Sequence, residues 1–104
     1  MANKMNTLMV TDYSLLSASS EQSACDLEGE VVILSLKNGA YYGLNPVGSR
    51  IWEMIQKPTS MNHIRATLLD EYDVEPERCN SDLMQIIQEL ASEGLIEINN
   101  ESPA

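Results

Sequence analysis

The run Val31-Val32-Ile33-Leu34-Ser35-Leu36-Lys37-Asn38-Gly39-Ala40-Tyr41-Tyr42-Gly43-Leu44-Asn45-Pro46-Val47-Gly48 leaves the chain few ways to fold. β-branched, aliphatic and tyrosine residues flank Asn38-Gly39, which reads as a hairpin, because Asn-Gly tolerates the positive φ that a type I′ turn needs at both central positions. Asn45-Pro46 then reads as a helix start. The asparagine side chain accepts from a free amide of the first turn, and proline at the first helical position forfeits no hydrogen bond. The second strand is therefore short and held at both ends. If it lies last in its sheet, its outer amides and carbonyls are open to a further chain.

Ala24–Leu27 reads as an earlier strand, with Glu28-Gly29 as the turn into Val31. The expected sheet is a three-stranded antiparallel meander over 23–28, 30–36 and 40–44. Thr7–Thr11 is a candidate short strand, and Ser17–Ser23, small and polar, reads as a loop or arm. Helix periodicity follows: Val47, Ile51, Met54 and Ile55, with Trp52 beside them, over Pro46–Gln56, then Met61, Ile64, Leu68 and Tyr72 after a Thr59-Ser60 cap. A third helix is predicted from Pro76 to Glu93, with Leu83, Ile87 and Leu90 facing the core and Gly94 as the terminating glycine. Leu95–Ile98 reads as a strand or extended tail. The fold class is α+β, a winged helix-turn-helix with an N-terminal three-stranded sheet followed by three helices. Its organisation is an N-terminal arm over 1–22, a domain over 23–98 and a tail over 99–104.

Sixteen acidic residues against six basic ones give a formal charge of −10. Helix-turn-helix domains commonly bind DNA, but the third helix carries Glu75, Glu77, Asp82, Glu89 and Glu93 against Arg78 alone. Affinity for a duplex rests on neutralising phosphates with Lys and Arg, so this helix repels it. A DNA-binding regulator and an anionic membrane partner are both disfavoured. Cys25 and Cys79 have no metal-type or C-x-x-C spacing and read as reduced thiols of a cytoplasmic chain. His63 is the one histidine and reads as a surface residue; the carboxylates are scattered, and the glycines fit turns rather than a phosphate loop. No catalytic residue, cofactor or metal is expected.

Peptide binding by strand addition at Ala40–Leu44 fits best. Main-chain hydrogen bonds hold the added strand and neighbouring pockets choose its side chains. The third helix is apolar beyond one core stripe, so a second face of it is available to a groove. That face is either the row Asp82, Ile86, Glu89, Glu93 or the row Met84, Gln88, Ala91. An apolar floor edged with acids suits a peptide that combines hydrophobic anchors with a lysine or arginine.

Gly29–Leu36, the Gly39-Ala40-Tyr41-Tyr42-Gly43-Leu44-Asn45-Pro46-Val47-Gly48 core, Ile51-Trp52-Glu53, Glu71-Tyr72-Asp73-Val74 and Leu90–Ile96 resemble the PqqD-like family over about residues 23–98. The resemblance implies a recognition element for ribosomally synthesised, post-translationally modified peptides (RiPPs). Such an element is a small non-catalytic domain that holds the leader of a precursor peptide. Stand-alone members of this size look like leader-binding proteins of lasso-peptide pathways, working with a separate peptidase and cyclase. A carrier for a radical-SAM enzyme is the other reading within the family. The resemblance further implies a leader paired antiparallel with the third strand and lying against the third helix, which selects Tyr41, Tyr42, Gly43 and Leu44 with Asp82, Leu83, Ile86, Glu89 and Leu90 opposite. The serine-rich N-terminal arm falls outside the pattern.

Overall fold

Glu28 and Gly29 both hold positive φ (57° and 89°) in the computed structural model, which describes residues 10–100. Leu27 and Glu30 pair across them, and Asp26 Oδ1 accepts from the Gly29 amide at 2.8 Å, so the type I′ turn of this chain lies here. The Asn38-Gly39 expectation is corrected: only Gly39 has positive φ (74°). Ser35 N–H bonds Ala40 O, and Gly39 N–H returns to Ser35 O, which closes a four-residue loop over 36–39. Asn38 contributes its side chain instead, accepting from the Ala40 amide at 2.9 Å.

The elements in order are β1 (Leu15–Ala18), β2 (Gln22–Leu27), β3 (Glu30–Ser35), β4 (Tyr41–Gly43), α1 (Pro46–Met54), β5 (Thr59–Ser60), α2 (Met61–Glu71), α3 (Pro76–Ser92) and β6 (Ile96–Asn99). One antiparallel sheet has the order β2-β3-β4, as the meander predicts; a second has the order β5-β1-β6. The second sheet departs from the expected order of one sheet followed by three helices, and the strand-or-tail reading of Leu95–Ile98 resolves as a strand from Ile96. β5 lies between α1 and α2, and β6 follows α3. It also corrects the loop reading of Ser17–Ser23 and the assignment of Asn99 to the tail, since Ser17 and Ala18 pair with Glu97 and Ile96, and Asn99 pairs with Leu15. The strand expected at Thr7–Thr11 lies mostly outside the described residues, and Val10 and Thr11 are in no strand. Residues 101–104 of the expected tail also lie outside them.

Leu16 is wholly buried at the centre of the second sheet, and Ile33 at the centre of the first. Ile51, Ile55, Met61, Ile64, Leu83, Ile87 and Leu95 complete a core that the three helices close. α1 and α2 are capped as the sequence predicts, by Asn45 Oδ1 on the Gly48 amide and by Ser60 Oγ on the His63 amide. α3 ends with Gly94 at φ 75° and the Leu95 amide returning to Leu90 O. That reversal sends the chain into β6.

Candidate functional site

β4 is the last strand of its sheet, paired on one side with β3. Tyr42 lies opposite Ile33, Leu44 N–H bonds Val31 O and Ser35 N–H bonds Ala40 O. In an antiparallel ladder successive residues turn their polar groups to opposite sides. Tyr41 and Gly43 therefore point N–H and C=O outward, along an edge that no described strand occupies. Ser49 fixes the end of this edge: its hydroxyl accepts from the Val31 amide at 2.8 Å and donates to Leu44 O at 3.3 Å. Gly48 leaves just enough room beside it, since a Cβ there would stand 3.3 Å from both Asn45 Oδ1 and Leu44 Cβ.

One hollow lies in the seam between β4 and α3, and a second lies further along α3. The first, about 430 Å³, is lined by Tyr41, Tyr42, Gly43, Leu44, Glu89, Leu90, Ser92 and Glu93. Further along α3 lies a more enclosed, mainly apolar cavity of about 290 Å³, walled by α1 and α2 through Val47, Ile51 and Leu68, by the α2–α3 link through Tyr72, Asp73 and Val74, and by α3 through Cys79, Asp82, Leu83 and Ile86. One turn of α3 separates Ile86 from Leu90, and one turn of chain separates Leu44 from Val47.

Alternation along β4 sends Tyr42 inward and Tyr41 outward, and Tyr41 is 72% exposed. Tyr42 donates to Glu93 Oε1 at 2.6 Å, which joins β4 to the end of α3. That hydrogen bond to a carboxylate holds the Tyr42 phenol above its usual value. Burial likewise pushes the Cys79 thiol up, despite Arg65 nearby, so this cysteine of the cavity wall is a poor nucleophile. Asp82 at the rim pairs with Arg78 at 3.6 Å across an exposed helical turn. His63 is exposed and lines a hollow by Pro58 and Thr59 that contains no β4 residue. Among the described residues, no group of three or more His, Cys, Asp or Glu could hold a metal ion.

All nine residues selected through the resemblance thus line one hollow or the other. Tyr41, Tyr42, Gly43, Leu44, Glu89 and Leu90 stand together, while Asp82, Leu83 and Ile86 belong to the cavity. The row Asp82, Ile86, Glu89, Glu93 faces the hollows, and Met84 and Gln88 do not line them. Sequence reasoning missed the opposite wall of the cavity: Val47, Ile51, Leu68, Tyr72 and Val74. Its periodicity is the same as that of a filled core, so no signal marked it. A further hollow of about 470 Å³ lies under β2, the other open edge of the sheet. Its wall holds Arg50, whose guanidinium bonds Glu71 through Nε and Nη2, both at 2.9 Å, and Glu53 through Nη1 at 3.0 Å. This polar network makes it a poorer apolar anchor site than the cavity beside α3.

The sequence pattern of the family described as Coenzyme PQQ synthesis protein D (PqqD) matches residues 30–96, from the first residue of β3 into β6. The chain belongs to the PqqD family. No curated protein sequence matches this PqqD-family chain significantly. Among solved structures, it is similar to TbiB1 in complex with the TbiA(beta) leader peptide, with 30% identity, a TM-score of 0.73, and 84% of this chain and 99% of that one covered. It also shares its fold with lasso peptide synthetase B1 complexed with the leader peptide, at 22% identity and TM-score 0.70, covering 79% of this chain and 96% of that one. A third match is the PqqD truncation of Methylobacterium extorquens PqqCD, a stand-alone RiPP recognition element, at 15% identity and TM-score 0.72, covering 89% and 99% of the two chains.

Proposed function

We propose that this PqqD-family chain is a non-catalytic RiPP recognition element that binds the leader of a precursor peptide by strand addition to β4. The observation that carries the reading is the outward-facing backbone of Tyr41 and Gly43 beside the hollow that β4 shares with α3. An added strand satisfies those amides and carbonyls, and the cavity takes one of its apolar side chains. Likeness to a leader-bound protein at 30% identity and to a leader-bound lasso peptide synthetase B1 at 22%, against 15% to the PqqD truncation, supports lasso-peptide maturation over a radical-SAM pathway. In that role the chain presents the precursor to a separate peptidase and cyclase. α2 and α3 beside the sheet make the winged-helix arrangement a peptide platform, with acids along α3 turning phosphate away.

The test is a polarisation titration of the labelled leader from the precursor gene nearest this one, paired with amide NMR. Saturable binding with shifts concentrated at Tyr41–Leu44 is the expected result. A folded chain that gives no binding, or shifts centred on β2, overturns the reading. Neighbouring genes for a peptidase and a cyclase support the lasso assignment, and a radical-SAM gene in their place overturns it.

A further inference from the structure

Resting on the reading of β4 as the peptide edge, we infer that the bound segment carries an apolar residue and, roughly four positions later, a lysine or arginine held by Glu89 and Glu93. The spacing comes from α3. Its residues Cys79, Asp82, Leu83 and Ile86 line the apolar cavity, and Glu89, Leu90, Ser92 and Glu93 line the hollow at β4. The centres of these two sets lie some eight or nine helical residues apart, which at 1.5 Å per residue is about 13 Å. An extended peptide rises about 3.3 Å per residue, so about four residues span that gap, and an even separation keeps both side chains on one face.

The order comes from β4. The strand begins at Tyr41, beside Glu93, and leads through Leu44 to Val47 on the cavity wall. Antiparallel pairs outnumber parallel ones by about two- to threefold. An antiparallel partner runs from the cavity towards Glu93, so the apolar residue precedes the basic one.

The charge preference comes from what surrounds the two carboxylates. Glu93 accepts from a neutral phenol, that of Tyr42, and Glu89 Oε2 from the Gln85 amide at 3.4 Å. Among the described residues, neither carboxylate is in an ion pair. Tyr42 holds Glu93 against the wall while leaving acceptor capacity for a cation. Lys37 marks the far end, its Nζ 4.0 Å from where a Cβ on Gly94 would stand, so the acidic stretch is bounded there. The chain's overall charge of −10 favours encounter with a basic peptide.

A phage-displayed random dodecapeptide library panned on the full chain tests this, alongside panning on the Glu89→Gln, Glu93→Gln double variant. Selected peptides are expected to share an apolar position followed about four residues later by Lys or Arg. The double variant is expected to keep the apolar preference and lose the basic one. In polarisation, the best lysine peptide should weaken by up to about fivefold for each carboxylate removed, the range of an exposed ion pair, and its glutamine counterpart should not change. Enrichment of the apolar residue with no basic residue at a fixed offset overturns the inference and leaves the β4 reading standing. So does equal weakening of the glutamine counterpart. Selected peptides that bind the native chain without shifting the amide signals of Tyr41–Leu44 overturn the β4 reading itself.

Discussion

Ile86→Asp isolates the role of the apolar cavity. Ile86 lies half-buried on α3 at the inner end of the seam, lining the cavity with Leu83 one turn before it, and Leu90 continues the row into the hollow beside β4. A cavity of about 290 Å³ accommodates one aliphatic side chain of a bound peptide. Burying such a side chain contributes about 1.5–3 kcal/mol, and a carboxylate in the wall cancels that contribution because it must keep its water. Each 1.4 kcal/mol is a factor of ten in affinity, so leader binding is expected to weaken by about 10- to 150-fold. The fold itself should lose less than a fully buried site would. Half-burial and the new like-charge neighbour Asp82, four residues earlier, together amount to about 1 kcal/mol, or some 4–8 °C in Tm. Gln88→Asp adds the same charge to the same helix off the hollows and is the control. Polarisation with labelled leader reads the affinity, and far-UV circular dichroism with a thermal melt confirms folding. If Ile86→Asp stays folded and binds within twofold of Gln88→Asp, the cavity is not the anchor site.

Leu16→Ala, at a wholly buried position of the central strand β1, should cost about 2–5 kcal/mol in a urea melt, whereas a detachable arm would tolerate it. Tyr42 should ionise above the usual tyrosine range when phenolate absorbance is followed, and Glu93→Gln should bring it back towards that range. The sign of the linkage follows: with the folded pKa raised, the Tyr42–Glu93 contribution to stability is complete below the usual tyrosine range and is lost as pH rises through the raised value. A native melting curve that parallels that of Glu93→Gln across this alkaline window would contradict it. Ellman's reagent should label Cys25 at once and Cys79 only on unfolding, since one thiol is exposed and the other buried with a raised pKa; Cys25→Ser should remove the fast phase.

Local chemistry made much of this fold legible. Asn45-Pro46, Ser60 and Gly94 mark helix ends through hydrogen bonds or φ values that few other residues supply, and each stands where its chemistry puts it. The second sheet was not legible, because its pairs are remote in sequence. Leu15–Ala18 meets Ile96–Asn99 and Thr59-Ser60, and nothing in a serine-rich segment announces partners that far away. Asn38-Gly39 misled for a different reason. The tightest turn went to Glu28-Gly29, where Glu28 adopts positive φ while Asp26 holds the Gly29 amide, so side-chain bonding in context outweighed the intrinsic preference of Asn-Gly. Within the candidate site, helical spacing offered two rows of α3, and the family resemblance selected between them. The opposite wall was not legible, since a cavity lining and a packed stripe have identical periodicity.

The open edge and the cavity need one another energetically. Outward N–H and C=O groups on Tyr41 and Gly43 offer about four main-chain hydrogen bonds, each contributing about 0.5–1.5 kcal/mol net. Immobilising a flexible peptide costs at least several kcal/mol, so this ladder alone stays well short of the roughly 8 kcal/mol of a micromolar complex. Apolar side chains seated in the two hollows supply the difference, at about 1.5–3 kcal/mol for each one fully buried. On the proposed reading, the backbone edge would fix direction and register while giving almost no sequence selectivity, and the cavity would set affinity. Selectivity between peptides of similar hydrophobicity is then left to groups at the rim, and on this seam those are the carboxylates of Glu89 and Glu93. A peptide with the right apolar residue but an acid facing them would lose twice, through repulsion and through desolvation of a third carboxylate beside two already in place.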